Sequence, residues 1–600
     1  MAMNQAAIRI RRAVVSAAVL CSLILLPAAG AGASGSAPSA AAAAVPGQSA
    51  PSRVLPSIAN PAVNRLAGPN RYATAVAVSR EAFPAGQRPK VVFLVSGMNY
   101  PDALSAAPAA AALNGITLLT NPGGLPADVE AELRRLRPER IVILGQSDAV
   151  SSAVQTRAEA IAPVERLAGS DRFETSRMVA RYAFGATGSS KAWIATGFDY
   201  PDALAAGAAA GANRAPLLLV RGNASAIEEP SAQLLTELGV TSVVIAGSAP
   251  TVSSGIEQSL PALVPGSSVH RAGGNNRYET ALLLAEHGFP NLAPGRAFLA
   301  TGLNYPDALV GSAYAGRLGR PLLLTTELCI HESIRSTLLG SRYTALTLLG
   351  SPGTLRGLVG TLEQCRSIAP GSSIWAVINK QRPFNPARYV PSGLTTPQVA
   401  YPYGQRLRSE AAQATARMFA AARAEGAGHM QVRSGYRSYD TQHTIYWNRR
   451  NQRGQAYADR WIARPGFSEH QSGLTLDVAA VGTSGCAEHT CLGNTPQGRW
   501  LAANSWRFGF ILRYGSGQEA ITGYAPEPWH FRYVGVPLAT DYYRDGWRTL
   551  EEYVGLPPAP RYAGQSRSMA PSSTPEEAAP LEEDLLDDQL LEVEPGEITG

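Results

Sequence analysis

The stretch RLAGPNRYATA (65–75) recurs as RLAGSDRFETS (166–176) and as RAGGNNRYETA (271–281). A second motif follows each copy: NYPDAL, then DYPDAL, then NYPDAL again. The first motif repeats after 101 and then 105 residues, and the second after 100 and then 105. Two motifs that keep the same period indicate three copies of one structural unit.

Each copy predicts a helix within its first motif. Asn70, Asp171 and Asn276 are residue types that favour helix N-caps, because their side chains accept hydrogen bonds from free backbone N–H groups. Glu174 and Glu279 stand at the third helical position, where a carboxylate completes a capping box. The sequence therefore predicts a helix start at equivalent positions of the three copies.

Apolar runs alternate with the helical segments. In the first copy the runs are KVVFLVSG, ITLLT and RIVILG, and similar runs recur in the other two copies. Continuous apolar strands separated by helices are typical of a parallel sheet covered on both faces. The predicted fold class is therefore multidomain, beginning with three tandem α/β parallel-sheet repeats.

The recurring polar residues of the repeats have two interpretations each. PDA is either a ligand-binding loop at the end of a strand or a helix start, with proline in the first turn and aspartate favoured by the macrodipole. Arg71, Arg172 and Arg277 either bind phosphate near a helix N-terminus or brace neighbouring units. The sequence leaves both questions open.

A different pattern follows the repeats. The stretch SEHQSGLTLD contains His470 and, seven residues later, Asp477, and EPWHF adds Glu527 and His530. Imidazole nitrogen and carboxylate oxygen bind zinc well, and a catalytic zinc site uses three protein ligands and leaves a place for water. A nearby carboxylate can take a proton from that water and deliver it to the leaving amine. Any one of these residues alone is better explained by a salt bridge, but all four together favour a metal site.

The repeats of residues 62–370 resemble the cell wall binding repeats of the second type. That resemblance implies three units that associate into one triangular body and bind anionic wall polymers. It also implies that they anchor exported proteins of Gram-positive bacteria to the wall without covalent attachment.

Residues 374–540 resemble the VanY-type D-alanyl-D-alanine carboxypeptidases and related D,D-dipeptidases and L,D-carboxypeptidases. The resemblance is carried by SGYRS, SEHQSGLTLD, EPWHF and VINKQRPFNP. It implies an α+β zinc peptidase domain in which His470, Asp477 and His530 bind Zn²⁺ and Glu527 is the general base.

The same resemblance implies further site residues. Arg437 of SGYRS would hold the scissile carbonyl or a substrate carboxylate, while Gln442, Ser468 and Tyr514 would line the peptide site. Arginine and hydroxyl donors recognise a carboxylate well, and Arg437 can also stabilise an oxyanion. The predicted function is removal of the terminal D-Ala from peptidoglycan stem peptides. The alternatives are an L,D-carboxypeptidase, an endopeptidase or a non-catalytic wall-binding surface protein, and Glu527 argues against the last because a binding module needs no base.

Charge is unevenly distributed along the chain. The net charge is +6, yet residues 571–600 contain ten acidic and no basic residues, and residues 1–33 contain three arginines and no acid. The remainder therefore carries +6 + 10 − 3 = +13. A basic body suits an anionic partner such as a wall polymer. A nucleic-acid partner is not expected, because no Lys/Arg run or aromatic–basic interleaving occurs.

The N-terminus predicts export. Three arginines precede an apolar segment and an A-x-A site that ends at residue 33, which is the pattern of a cleaved signal peptide. We expect no membrane span after cleavage and a secreted, wall-associated protein. Four cysteines then remain and allow three pairings; proximity favours Cys329–Cys365 and Cys486–Cys491, and four free thiols are the alternative.

The sequence thus predicts seven segments. They are a signal peptide (1–33), a linker (34–61), wall-binding repeats 1 (62–162), 2 (163–267) and 3 (268–370), a zinc D,D-carboxypeptidase domain (371–556) and an acidic tail (557–600).

Overall fold

The computed structural model describes residues 60–340, 342–400, 404–482 and 489–564. The predicted signal peptide, most of the linker, most of the acidic tail and Cys486 lie outside these residues, so the predictions that involve them stay predictions. Within the described residues no helix is long and apolar enough to cross a membrane.

Strands and helices alternate regularly along the repeats and follow no regular order after them. The strands are β1 Ala62–Leu66, β2 Val91–Ser96, β3 Ile116–Thr120, β4 Arg140–Leu144, β5 Val164–Leu167, β6 Lys191–Thr196, β7 Leu217–Val220, β8 Ser242–Ala246, β9 Ser268–Ala272, β10 Gly295–Thr301, β11 Leu322–Thr325, β12 Tyr343–Leu349, β13 Leu394–Thr395, β14 Leu407–Arg408, β15 His429–Ser434, β16 Thr475–Val481, β17 Phe510–Leu512 and β18 His530–Tyr533. The α-helices are α1 Arg71–Ala82, α2 Ala106–Ala112, α3 Ala127–Leu136, α4 Ser152–Glu159, α5 Arg172–Phe184, α6 Pro201–Ala212, α7 Glu229–Glu237, α8 Ser254–Leu263, α9 Arg277–Gly288, α10 Pro306–Arg317, α11 Glu332–Leu338, α12 Gly357–Gly360, α13 Ser409–Ala424, α14 Tyr439–Arg453, α15 Gln455–Trp461, α16 Pro496–Asn504, α17 Glu519–Thr522, α18 Val536–Arg544 and α19 Leu550–Tyr553.

The repeats form three parallel four-stranded sheets, which confirms the predicted fold class. Their orders are β3-β2-β4-β5, β7-β6-β8-β9 and β11-β10-β12-β1. Each sheet therefore takes its last strand from the next copy, and β1 at the start of the first copy completes the third sheet. Leu66 of β1 pairs in register with Leu349 of β12. The sequence copies and the sheets are thus offset by one strand, and the three units close into a ring.

Small side chains let the central helices of the ring approach closely. Helices α2, α6 and α10 pack against one another. A Cβ added at Gly211 of α6 would lie 2.9 Å from the Cβ of Ala111 and 3.3 Å from the Cα of Gly316. The rings of Tyr100 and Tyr305, one residue ahead of the PDA segments, lie 5.4 Å apart between centroids. The alanine-rich segments therefore form the contact between repeats.

The recurring polar residues act mainly inside this ring. Asn70, Asp171 and Asn276 cap α1, α5 and α9, as predicted. The PDA prolines begin α6 and α10 and a 3₁₀ turn in the first copy, which agrees with the helix-start interpretation. Arg172 Nη1 donates to the Gly197 carbonyl at 2.7 Å, within its own unit.

The domain that follows the repeats is built on a different sheet. Strands β15, β16, β18 and β17 form an antiparallel sheet in that order, and α13 packs against it through a common buried cluster. The predicted disulfide Cys329–Cys365 is present within the third repeat, and Cys329 packs in a buried cluster with Trp375 of the domain that follows. Arg356 of the third repeat lies over the ring of Trp547 at 4.4 Å, so the repeats contact that domain directly.

Candidate active site

Neighbouring strands bring the predicted ligands together. Asp477 of β16 pairs in register with His530 of β18 on one side and with Ser434 of β15 on the other. The register of β15 shifts between Val432 and Ser434, so this strand carries a bulge beside the site. A bulge redirects the chain locally. Here it precedes Gly435, whose carbonyl reaches the site.

His470 lies on a short 3₁₀ turn that leads into β16. Its Nδ1 lies 2.7 Å from the Gly435 carbonyl oxygen, and its Nε2 lies 3.3 Å from Asp477 Oδ2. A carbonyl accepts only from a protonated nitrogen, so this contact assigns the proton to Nδ1 and leaves the Nε2 lone pair free. The tautomer is therefore the one a metal ligand requires.

The three predicted ligands form one buried group. His530 Nδ1 lies 3.3 Å from Asp477 Oδ1, and one donor atom from each of His470, Asp477 and His530 lies within 4.8 Å of the others. The side chains of these three residues are almost fully buried. Two imidazoles and a carboxylate at this spacing can hold one metal ion.

The pKa values show how the surroundings act on this group. Burial, together with the nearby Arg437 guanidinium, lowers the pKa of His470 and favours its neutral form. Burial opposes ionisation of Asp477, but the adjacent imidazoles outweigh it and hold its pKa well below the usual range. Burial also opposes protonation of His530, yet hydrogen bonds to surrounding carboxylates hold its pKa well above the usual range. The group thus contains one ionised carboxylate, that of Asp477, which attracts either a proton or a metal cation.

Glu527 faces the same group from the turn that precedes β18. Its Oε2 lies 3.2 Å from His530 Nδ1, and its backbone N–H donates to the Tyr514 carbonyl at 2.9 Å. Burial raises the pKa of the Glu527 carboxyl. A buried carboxyl with a raised pKa is suited to take up a proton and release it again.

The other predicted residues line the same cleft, whose volume is about 310 Å³. Arg437 Nη2 donates to Asp477 Oδ2 at 2.7 Å, and the side chain remains 22% exposed toward the cleft. Gln442 Nε2 donates to the Ala463 carbonyl at 2.8 Å, and its Oε1 has no partner among the described residues. Ser468 and Tyr514 also line the cleft, so all eight predicted site residues meet there.

Comparison with known proteins identifies both kinds of domain in the chain. Residues 404–536 match the family model described as D-alanyl-D-alanine carboxypeptidase (VanY). Residues 65–155, 166–257 and 271–357 each match cell wall binding domain 2. The Bacillus subtilis protein YodJ is 40% identical over 197 residues, which cover 32% of this chain and 71% of YodJ. The chain belongs to the VanY carboxypeptidase family. Both resemblances seen in the sequence are thereby confirmed.

Two further relatives match the VanY domain. A D-alanyl-D-alanine carboxypeptidase of Enterococcus faecalis is 37% identical over 191 residues, which cover 30% of this chain and 66% of that protein. A solved structure of the vancomycin-resistance D,D-pentapeptidase VanY, a mutant in complex with Zn(II), is 36% identical and covers 30% of this chain and 98% of that one, with a TM-score of 0.27.

Beneath the VanY site lies a buried charge network that the sequence analysis missed. Glu469 Oε1 lies 3.0 Å from Arg513 Nε and 3.0 Å from Arg532 Nη1, and Arg513 also pairs with Glu551 at 2.7 Å. Glu469 Oε2 lies 3.7 Å from Nε2 of His530, so the network adjoins a predicted ligand. The available signal was an arginine inside each of two apolar strand patterns, FILRYG and HFRYV.

The outer half of the cleft was also missed. It is lined by residues of α14 and α15, namely Ile445, Arg449, Tyr457 and Trp461. Their spacing in the sequence resembles that of ordinary surface helices. Only the packing of the two helices across the cleft shows that these side chains share a wall with Gln442.

Proposed function

We propose that this protein is a zinc-dependent D-alanyl-D-alanine carboxypeptidase that removes the terminal D-Ala from peptidoglycan stem peptides. We further propose that it is secreted and that its three repeats hold it at the cell wall. The observation that carries the proposal is the buried group of His470, Asp477 and His530 with Glu527 beside it at one end of a cleft. A wall-binding module without activity would not need a buried carboxyl there.

The donor set fits zinc. Two imidazoles and one carboxylate are typical ligands of a catalytic zinc ion. The hydrogen bond from His470 Nδ1 to Gly435 fixes the first ring, and Glu469 stands behind the ring of His530. Such contacts orient ligand side chains. A zinc ion held here would act as a Lewis acid on the scissile carbonyl and on the attacking water.

The protein's own groups would perform the proton transfers. Glu527, buried and close to His530, takes a proton from the attacking water and delivers it to the amine of the departing D-Ala. The Arg437 guanidinium reaches the cleft beside Asp477 and donates to the oxygen on which negative charge develops. The pKa of Tyr514 is held well above its usual range by burial, so its hydroxyl stays a neutral donor at the cleft wall.

The substrate would enter with its carboxyl terminus first. The buried end of the cleft offers donors for a terminal carboxylate from Arg437 and Ser468. Charge-assisted hydrogen bonds of this kind are stronger than neutral ones. Recognition of a free terminal carboxylate there would favour a carboxypeptidase over an endopeptidase. An L,D-specific relative remains the second candidate.

Incubation with defined muropeptides tests the reaction. We expect the full chain, loaded with zinc, to release D-Ala from peptides that end in D-Ala-D-Ala, and mass analysis to show the loss of one residue. Release from tetrapeptides alone would replace the D,D assignment with the L,D one. Cleavage between two stems would indicate an endopeptidase, and no cleavage would support the non-catalytic alternative.

Sedimentation with purified walls tests the anchoring. Three linked weak contacts gain strongly in avidity, so residues 62–370 should pellet with walls and residues 371–556 should not. Exposed charges are screened over about 10 Å at 0.1 M salt, so binding to anionic polymers should weaken as salt rises. Equal pelleting of both fragments would contradict the division of labour. Binding that survives polymer removal and high salt would contradict the electrostatic mechanism.

A further inference from the structure

One face of helix α14 forms a wall of the cleft from its buried end to its mouth. Gln442, Ile445 and Arg449 lie on that face at positions i, i+3 and i+7, and all three line the cleft. Gln442 is buried, whereas Ile445 and Arg449 are partly exposed. At 1.5 Å of rise per residue, Arg449 stands about 10 Å along the helix from Gln442. Arg449 therefore stands on the more exposed part of this wall, away from the buried Gln442.

Among the residues that the structure describes, the neighbouring arginines contact partner side chains, whereas Arg449 has no hydrogen-bond or ion-pair partner. Arg450 lies over the ring of Trp447 at 4.4 Å, Arg460 pairs with Glu519, and Arg464 pairs with an aspartate. No hydrogen bond or ion pair joins Arg449 to any other residue that the structure describes. A charged fork of donors thus lines the cleft, and none of the carboxylates that the structure describes pairs with it.

Apolar side chains line the same cleft as this cation. Tyr457 and Trp461, four residues apart on α15, line the outer cleft with ring centroids 6.3 Å apart. Ile445 adds an apolar surface on the α14 side. A wall of this kind removes water around a bound peptide and strengthens charge interactions there. A fully solvated surface arginine would have no such surroundings.

We propose that Arg449 is a subsite for a free carboxylate on the substrate, two or three residues before the scissile bond. The inference rests on the proposed carboxypeptidase function, which places the terminal residue at the buried end and the longer acyl part toward the mouth. An extended peptide advances about 3.3 Å per residue, so the 10 Å along α14 corresponds to about three residues. The ligand class is an acidic peptide, and the carboxylate is part of the acyl portion that the enzyme keeps after cleavage.

The test compares two peptides that differ in one group. Both end in D-Ala-D-Ala, and the residue two or three positions before the scissile bond carries either a carboxylate or the matching carboxamide. A charge-assisted hydrogen bond is stronger than a neutral one, and contact with solvent weakens it. We expect the zinc-loaded full chain to prefer the carboxylate peptide by about 5- to 30-fold in kcat/KM, mainly through a lower KM.

Arg449→Gln should abolish that preference, so that the ratio of kcat/KM between the two peptides falls to about 1. Arg450→Gln is the matched control, because it removes a neighbouring guanidinium from the same helix and should keep the preference. Arg449→Lys should keep part of it, since the charge remains but the planar fork is lost. An equal loss for both peptides in Arg449→Gln, or no loss for either, would overturn the subsite.

A binding measurement separates this inference from the proposed function. Calorimetry with Glu527→Ala reports peptide binding without turnover, and there too the carboxylate peptide should bind about 5- to 30-fold more tightly only when Arg449 is present. If the wild-type chain cleaves neither peptide but this binding difference holds, the reaction is refuted and the subsite stands. If the wild-type chain cleaves both peptides without preferring the carboxylate one, so that Arg449→Gln has no effect on the preference, the subsite alone is refuted. Absence of both cleavage and binding refutes both.

Discussion

Glu469→Gln removes one charge from the buried network beneath the group of His470, Asp477 and His530. Glu469 and Glu551 balance Arg513 and Arg532, and the side chains of Glu469 and both arginines have no exposed surface. The substitution keeps the side-chain shape but leaves one buried positive charge without a counter-charge. Breaking a buried pair in this way costs about 3–5 kcal/mol in the free energy of unfolding.

Urea unfolding followed by tryptophan fluorescence measures this loss. Seven of the eight tryptophans lie between residues 371 and 556, so the signal reports chiefly on the peptidase domain. With a urea dependence of about 2 kcal/mol per molar, the midpoint should fall by roughly 2 M. Glu425→Gln is the control, because its pair with Arg507 is 2.8 Å long but exposed, and such pairs contribute at most about 1 kcal/mol.

Zinc affinity provides the second readout of Glu469→Gln. Glu469 Oε2 lies 3.7 Å from His530 Nε2, so loss of the carboxylate should loosen the orientation of that ring. Losing a contact that orients a metal ligand costs about 10- to 100-fold in metal affinity. A urea midpoint no lower than that of Glu425→Gln, with unchanged zinc affinity, would refute the role assigned to this network.

Three further predictions concern the metal, the base and the ring of repeats. Metal analysis should find one zinc per chain in the parent and none in the double variant His470→Ala, His530→Ala, and stoichiometric zinc in that variant would contradict the ligand set. Glu527→Ala should retain zinc but lose about 100- to 10,000-fold in turnover, so near-normal turnover would rule out the base. Burial raises the pKa of Asp202 from 3.8 to about 6. The folded repeats then bind this proton more tightly than the unfolded chain, and stability should fall by up to about 3 kcal/mol as pH rises from about 4 to 6. Thermal unfolding should show this slope, Asp202→Asn should remove it, and an identical slope in that variant would exclude Asp202 as its source.

Local patterns predicted much of the fold and of the site. The N-caps, the apolar strands and the placement of Asp477 beside His470 follow from interactions between residues close in sequence or from a strongly patterned motif. Such local patterns do not predict which strands pair when they are far apart in the sequence. Leu66 pairs with Leu349, yet any parallel strand of similar composition could serve as its partner on propensity alone.

Side chains whose role depends on a distant partner were also missed. The burial of Arg513, directly after the apolar strand β17, cannot be explained from nearby residues in the sequence, because its partners Glu469 and Glu551 come from other elements. Arg449 has the sequence context of any exposed helical arginine, and only the position of α15 gives it a cleft to face. Packing between elements, rather than the composition of either element, determines these roles.

The exchange of strands around the ring also orders events during synthesis. Strand β1 is among the first described segments to be made, but its partner β12 ends at Leu349 and is made after almost all of the repeats. Until then β1 and the strands awaiting a neighbour expose unpaired backbone edges, which readily pair with other chains. The ring of repeats therefore closes only after β12 has been made and has paired with β1. A chain that stops after the second repeat would remain open, so loss of one repeat should disable all three units rather than reduce binding by a third.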